Sequence, residues 1–442
     1  MSESSISRRS FLSHSAGAGA GLALTGFPRT IRARDVNDRI NVGIVGPGGR
    51  GTSILKEFFR GNKNFNAHLT AVCDLWSYRR DKAVELVKQE EGKAPKVYRH
   101  HEEILNDQDL DALIIATPDH AHAQILKLAA EAGKDAYCEK PMGNVLEEVN
   151  AAFDAVKKAG TIVQIGTQRR AYPKYRQAAK MIAEGIIGDI AKVDLYWSWY
   201  SPYRWAKKDK DLAWIKEADL DWNTWLMGKK HRPFDPRVFR CFRLFKDFSS
   251  GIIDQWMTHG IDLAHMLTGT SLPLNAVAHG GIYEWKDWRE NPDTLEVSLE
   301  YQKGDRKFLT VYSTNLINGY GKATQVHGTR GSFEAGGSTN SADWSAGTAE
   351  SSANPEADWQ FTGKGVGRED KTADMVPIPD APGEKSHVAN WLKAVRSRDS
   401  ESLYCPVEAG YGHSIACIMA TDAYWGRKRM AFDPGKRTIQ TG

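Results

Sequence analysis

Val42-Gly43-Ile44-Val45-Gly46-Pro47-Gly48-Gly49-Arg50-Gly51 is an apolar run that breaks into G-x-G-x-x-G, with glycines at 46, 48 and 51. Gly46 permits a tight turn at the end of a strand. Gly48 has no side chain, so a pyrophosphate can approach the backbone. Gly51 lets the next helix pack against its strand. A helical stretch follows, Thr52 to Arg60, and then a second apolar strand, Leu69 to Cys73, ending on Asp74. An acidic residue at that distance from the glycines accepts from the adenosine ribose hydroxyls. The order strand, glycine turn, helix, strand, acid predicts a dinucleotide site built from Gly46, Gly48, Gly49, Arg50, Gly51 and Asp74. Asp74 favours NAD(H) over NADP(H), because a carboxylate repels a 2′-phosphate. Arg79 and Arg80 are close enough in sequence to act in the opposite sense.

The pattern continues outward from this stretch. Between Arg39 and Gly166, apolar strands at Ile40–Val45, Leu69–Cys73, Ala112–Ala116, Asp135–Cys138 and Ile162–Ile165 alternate with helical segments. Alternation of this kind predicts a parallel, doubly wound sheet, an α/β Rossmann domain over 37–166. Its ligands sit at the C-terminal ends of the strands. Three clusters fall at such ends: Thr117-Pro118-Asp119-His120-Ala121-His122, then Cys138-Glu139-Lys140-Pro141, then Gly166-Thr167-Gln168-Arg169-Arg170.

After Gly166 the character changes. A helix over Tyr172–Glu184 precedes strands at Ala191–Tyr200, Leu274–Tyr283, Asp293–Tyr301, Lys307–Ser313 and Thr324–His327. Strands without intervening helices predict a large, mainly antiparallel sheet in an α+β domain over 167–442. Residues 332–371, rich in Gly, Ser, Ala, Thr and Asn, read as a long, poorly ordered surface excursion. Helices at Ser386–Ser397 and Pro406–Trp425 close the chain.

Bulk properties narrow the function classes. The 442 residues carry a net charge of +4, but the first 36 hold five arginines against Glu3 and Asp35. Without them 54 basic and 53 acidic residues remain, a net charge of +1, which gives no electrostatic reason to expect nucleic acid. No apolar run has the roughly 20 residues a membrane span needs. The five cysteines, 73, 138, 241, 405 and 417, show no C-x-x-C spacing, so neither a metal site nor a disulfide framework is expected. Ser7-Arg8-Arg9-Ser10-Phe11-Leu12, followed by a weakly apolar segment, reads as a twin-arginine export signal within 1–36. The expected location is therefore periplasmic or extracytoplasmic. That pathway carries folded proteins, so the cofactor is expected to load first and stay tightly bound, covered by Arg32–Asn37 and the Thr117–His122 loop.

Lys140 is the sharpest catalytic candidate. A partly desolvated lysine beside a cationic nicotinamide has its ammonium form disfavoured. It can then exchange a proton with a substrate oxygen. An aromatic block, Trp197, Trp199, Tyr200, Tyr203, Trp205, Trp214, Trp222 and Trp225 with Arg204 among them, offers flat faces for the C–H faces of a sugar, or packs a core and an oligomer interface.

Asp74, Thr117-Pro118 with His120 and His122, Glu139-Lys140-Pro141, and Gly166-Thr167-Gln168 together resemble the glucose–fructose oxidoreductase, inositol dehydrogenase and MocA-like family (Gfo/Idh/MocA). The resemblance runs from about Asn37 onward. It implies that Lys140 contacts the reacting hydroxyl, that Glu139 lies near the nicotinamide ribose, and that an open sheet in the second domain covers the nicotinamide. It also implies a histidine in the pattern Asp, three residues, His, two residues, Asp. His259 and Asp262 fit that spacing. Asp254 stands one residue early, and Gln255 takes the usual carboxylate position, which removes a charge next to the histidine. His259 is the second catalytic candidate, and His265 reads as structural.

The function expected from this resemblance is NAD(P)-dependent oxidation of a secondary hydroxyl on a sugar, cyclitol or sugar derivative. The alternatives are an NAD-dependent glycoside hydrolase working by transient oxidation and elimination, or a non-enzymatic protein that retains NAD. The expected partner is a small carbohydrate-like substrate, and the expected assembly is a homo-oligomer through the second-domain sheet.

Overall fold

Strand β1 (Ile40–Val45) alternates its side chains between two cores. Ile40, Val42 and Ile44 face Ile54, Leu55 and Phe58 of the helix Gly49–Gly61, and the same cluster takes in Val388, Trp391 and Leu392 of the helix His387–Ser397. Val45 belongs to the core on the opposite face. The computed structural model describes residues 38–319, 321–335, 360–363 and 375–442. The twin-arginine segment and Arg32–Asn37 lie outside the described residues.

Around β1 stand β2 (Ala67–Cys73), β3 (Lys96–Tyr98), β4 (Ala112–Ile115), β5 (Asp135–Cys138) and β6 (Val163–Ile165). All pairs are parallel, in the order β3-β2-β1-β4-β5-β6. The order reverses between β1 and β4, which opens a crevice at their C-terminal ends. The apolar runs locate every strand but β3, whose Lys-Val-Tyr lies largely exposed at the edge and carries no apolar signal.

The second sheet holds β7 (Ile190–Ser198), β8 (Asn275–Gly281), β9 (Thr294–Lys303), β10 (Arg306–Asn315), β11 (Gly321–Gly328), β12 (Gly331–Ala335), β13 (Gln360–Gly363), β14 (Met375–Pro377), β15 (Met430–Asp433) and β16 (Thr438–Thr441). Its order is β14-β13-β12-β11-β7-β10-β9-β8-β15-β16. Only β7 and β10 pair in parallel; the other neighbours are antiparallel, as expected. The excursion expected over 332–371 needs correction at both described parts. Gly331–Ala335 pairs with β11, and Gln360–Gly363 pairs with β12, so these residues extend the sheet. The backbone pairing of an edge strand does not require an apolar run, which is why composition misread them.

Helices Pro173–Ala183, Thr258–Thr268 and Val407–Gly426 share one core with both sheets, through Ile182, Ile261, Leu263, Ile415 and Met419 against Ile165, Val193, Leu195 and Val297. All five cysteines are free and buried. No helix among the described residues is long and apolar enough to cross a membrane. Between β7 and the turn before Thr258 the chain makes a separate aromatic cluster. Leu212, Trp222, Trp225, Val238, Phe242 and Phe248 pack there together with Trp76, which follows β2. Burying Trp76 fastens this segment, residues 199–248, over the mouth of the crevice.

Candidate dinucleotide cleft and proton-transfer site

A cavity of about 500 Å³ occupies the crevice. Among the residues predicted for the site, Gly46, Gly48, Gly49, Arg50, Asp74, Thr117, Pro118, His120, His122, Glu139, Lys140, Gln168 and His259 all line it. Gly51 stands behind them: a Cβ there would meet the Gly46 carbonyl oxygen at 2.6 Å, so its absence lets the helix start pack on the turn. Gly46 has φ +79°, and a Cβ would come within 2.8 Å of the Thr117 backbone. The helix opens at Gly49 with no side chain capping it, which leaves N–H groups for an anion. Arg50 Nη2, Thr117 Oγ1, Gln168 Oε1 and His259 Nδ1 are buried without a hydrogen-bond partner. A lined cavity with orphaned polar atoms on residues of its wall fits a dinucleotide. Gly46→Ala should weaken NADH binding and cost about 1–3 kcal/mol of stability, from left-handed strain and the Thr117 clash. Fluorescence titration and urea unfolding check this; wild-type values in both would refute it.

Asp74 Oδ1 accepts from Trp76 N at 2.9 Å. Burial pushes its carboxyl up to about 6, against the Trp76 hydrogen bond and the charges of Arg79 and Arg80. It is therefore mostly ionised at neutral pH and able to accept from ribose hydroxyls. Arg80 Nη1 donates to the Asp74 carbonyl at 2.6 Å. Arg79 lies over the rings of Trp76 and Tyr78 and lines the cavity.

The strand-end clusters are braced against one another. His120 donates from Nε2 to the Trp225 carbonyl at 2.9 Å and packs on Trp225 and Phe248. Burial lowers its pKa to about 4, so it is neutral and anchors the 199–248 segment. His122 joins two loops, with Nδ1 2.7 Å from Pro141 O and Nε2 2.8 Å from Thr117 O. Arg50 donates from Nε to Glu139 Oε1 at 2.7 Å. Burial opposes the Arg50 charge, but Glu139 outweighs it and holds the guanidinium above its ordinary value.

Lys140 is buried, and its ammonium is held by an unusual turn. Ile253–Met257 is π-helical and runs directly into the helix Thr258–Thr268. A π turn absorbs one more residue than an α turn and disturbs the carbonyl pattern. This explains why Asp254 stands one position early. Lys140 Nζ donates to the freed Asp254 and Gln255 carbonyls at 3.0 and 3.1 Å, and lies 3.4 Å from Gln255 Oε1. Burial lowers the Lys140 pKa, against the charges of Asp119 and Glu139.

No carboxylate hydrogen-bonds His259 among the described residues. The Asp254 carboxylate accepts from Ser250 N at 2.7 Å, and burial and then Asp119 push it up to about 7. Asp262 accepts from Arg170 Nε at 2.9 and 2.8 Å and faces His413 Nδ1 at 3.2 Å. Asp262, Cys405 and His413 place ligand-type atoms within 4.8 Å of one another, but Arg170 already takes both Asp262 oxygens. Burial, then Lys140, Arg169 and Arg50, depress the His259 pKa well below its ordinary value, leaving a neutral imidazole on the cavity wall. His265, as expected, is structural: its Nε2 pairs with the Tyr301 hydroxyl at 2.8 Å.

Sequence reasoning gave no site role to Asp119, Gln255 or Trp256. Asp119 Oδ2 accepts from Gln255 Nε2 at 2.5 Å and Ser249 Oγ at 2.6 Å, so the carboxylate missing from position 255 arrives from the first sheet. Gln255 at a carboxylate position was the signal for it. Trp197 and Trp256 stack at 5.1 Å and form a flat wall of the cavity. From the aromatic block, Trp197, Trp205 and Trp225 reach the cavity, Trp222 packs inside the covering segment, and Trp199, Tyr200, Tyr203 and Trp214 are exposed.

A parallel sheet with a glycine turn, joined to a broad antiparallel sheet and a shared cleft, defines a two-sheet dinucleotide-binding protein. Residues 40–167 match the Gfo/Idh/MocA model, described as an oxidoreductase family with an NAD-binding Rossmann fold. That match covers the first sheet and its strand-end clusters as far as Thr167, and marks them as a region similar to the family's NAD-binding domain. An inositol 2-dehydrogenase/D-chiro-inositol 3-dehydrogenase of Lactiplantibacillus plantarum is 29% identical over 205 residues, 45% of this chain and 56% of the relative. A levoglucosan dehydrogenase of Pseudarthrobacter phenanthrenivorans is 33% identical over 175 residues, 39% of this chain and 37% of the relative. The matched region thus spans little more than half the length of the first relative and less of the second. A solved levoglucosan dehydrogenase in complex with NADH superposes with a TM-score of 0.62 at 19% identity, covering 89% of this chain and 98% of that one. That likeness confirms the two-sheet fold.

Proposed function

We propose that the chain is an NAD-dependent oxidoreductase acting on a secondary hydroxyl of a sugar, cyclitol or sugar derivative. The observation that carries this reading is Lys140. It is a buried lysine with its cation disfavoured, in the same cavity as the glycine turn. A bound nicotinamide supplies the hydride acceptor. Lys140 Nζ takes the hydroxyl proton, steadied by the carbonyls of the π turn. Neutral His259 offers a second acceptor beside it. The names of the inositol and levoglucosan relatives support the substrate class. Incubation of the purified protein, with its own bound cofactor and in parallel with added NAD, with a panel of inositols, levoglucosan and monosaccharides tests the reading through NADH absorbance. At least one polyol should reduce NAD. Cleavage of a glycoside without net NADH would replace this reading with the elimination–hydrolysis alternative.

The same reading holds that the mature protein acts outside the cytoplasm and keeps its cofactor. A dissociable cofactor would be lost there by dilution, and retention requires a low off-rate. Residues 199–248, fastened through Trp76 and His120, provide a cover for it. Cofactor released from purified, denatured protein should be NAD(H), because Asp74 repels a 2′-phosphate, and it should survive exhaustive dialysis. Recovery of mainly NADP(H), or ready washout, would overturn the respective part.

A further inference from the structure

The cleft carries more unpaired positive charge than a neutral polyol requires. Several buried arginines of this chain are paired, Arg170 with Asp262, Arg289 with Asp287 and Arg398 with Asp135. Arg240, half-buried on the cavity wall, has no acidic partner among the described residues. Arg204 and Arg243 are likewise half-buried, and both line the cavity with Lys140. Neither guanidinium has a hydrogen-bond or carboxylate partner among the described residues, and Arg204 Nε is buried and orphaned. Their neighbours are rings: Arg204 lies over Trp205 and Trp256, and Arg243 over Phe242. Burial and then the charge of Arg243 pull the Arg204 pKa down, and no acid offsets them. The Arg243 charge also disfavours the Lys140 cation. Two guanidiniums and the Lys140 amine thus share the cavity with the Trp197–Trp256 wall. Holding unpaired charge away from water is costly unless a ligand completes it. The cofactor's phosphates already have the uncapped helix start at Gly49.

We propose that Arg204 and Arg243 form an anion subsite of the substrate pocket, so that the substrate is an acidic sugar or cyclitol. Its carboxylate or phosphate sits on the two guanidiniums, one ring face lies on Trp256, and the reacting hydroxyl points to Lys140. This rests on the dehydrogenase reading above and narrows its substrate class.

Calorimetric titration of the NADH-loaded full chain tests it without turnover. The probes are glucuronate, galacturonate and glucose 6-phosphate against glucose and myo-inositol. At least one acidic probe should bind roughly 10- to 100-fold tighter than its neutral counterpart. The uronates and the sugar phosphate separate the two anion types. Arg204→Gln and Arg243→Gln should each abolish the preference while NADH affinity, read by fluorescence, stays near wild type. Equal binding of acidic and neutral probes overturns the subsite, as does a parallel loss of NADH affinity in both variants, which would assign the arginines to the cofactor. Reduction of NAD by neutral polyols alone also overturns the subsite but leaves the dehydrogenase. Tight binding of an acidic probe without any NAD reduction keeps the subsite and overturns the dehydrogenase.

Discussion

Lys140→Met is expected to lower turnover by roughly 10²- to 10⁴-fold, the usual loss for one positioned acid–base group, while NADH still binds. Methionine is close to lysine in length, so the cavity wall keeps its shape, but a thioether transfers no proton. The Gln255 carbonyl loses its Lys140 donor, whereas the Asp254 carbonyl keeps Thr258 Oγ1 at 2.9 Å. The stability cost should therefore stay within about 1–3 kcal/mol, the range for an orphaned buried polar group. The pH profile adds a second readout. The folded pKa of Lys140 lies below that of an exposed lysine. The neutral amine is the acceptor, so kcat/KM for hydroxyl oxidation should rise with pH and level off earlier than an exposed lysine would allow. The variant should lose this rise. Near-normal turnover would remove Lys140 from the mechanism. Loss of NADH affinity in step with turnover would make it a cofactor-binding residue instead.

Arg170→Met should destabilise the protein by about 3–5 kcal/mol, the range for a buried ion pair that loses one member. Asp262 is buried behind the end of β6, and burial alone would raise its pKa. Arg170, and then His413, outweigh burial and hold the carboxyl far below the usual carboxylate range. A depressed folded pKa means that the contribution is complete above the unfolded pKa, about 3.9 for Asp. It is lost as pH falls through the folded value. The urea midpoint of Arg170→Met should therefore lie far below that of the wild type at neutral pH, with the gap narrowing in acid. Asp262→Leu combined with Arg170→Met should recover part of the loss, because no charge is then left unpaired. A single variant within about 1 kcal/mol of the wild type at neutral pH would refute the assignment.

The two predictions also mark two kinds of legibility. Residues 42–51 and Asp74 were readable because a glycine turn, its helix and a strand-end acid are local, and local backbone requirements leave a mark in residue order. The same holds for Lys140, placed at the end of an apolar strand, and for the spacing that singled out His259. The covering segment and its unpaired Arg243 left no such mark, since an aromatic-rich stretch looks alike whether it packs a core or roofs a cleft. Its position depends on Trp76 and His120, far off in sequence. The edge strands at Gly331–Ala335 and Gln360–Gly363 were hidden because backbone pairing at a sheet edge asks little of side chains. The electrostatics were hidden most of all. Asp119 and Gln255 are 136 residues apart and meet only when the two sheets close. The π turn is likewise a tertiary matter: an extra residue shows as a spacing offset at Asp254, but only packing shows which carbonyls it frees and that Lys140 fills them. Residue order specifies turns, strand ends and periodicity because those are short-range. Which charges face each other, and which stay unpaired until a ligand arrives, is settled by long-range burial.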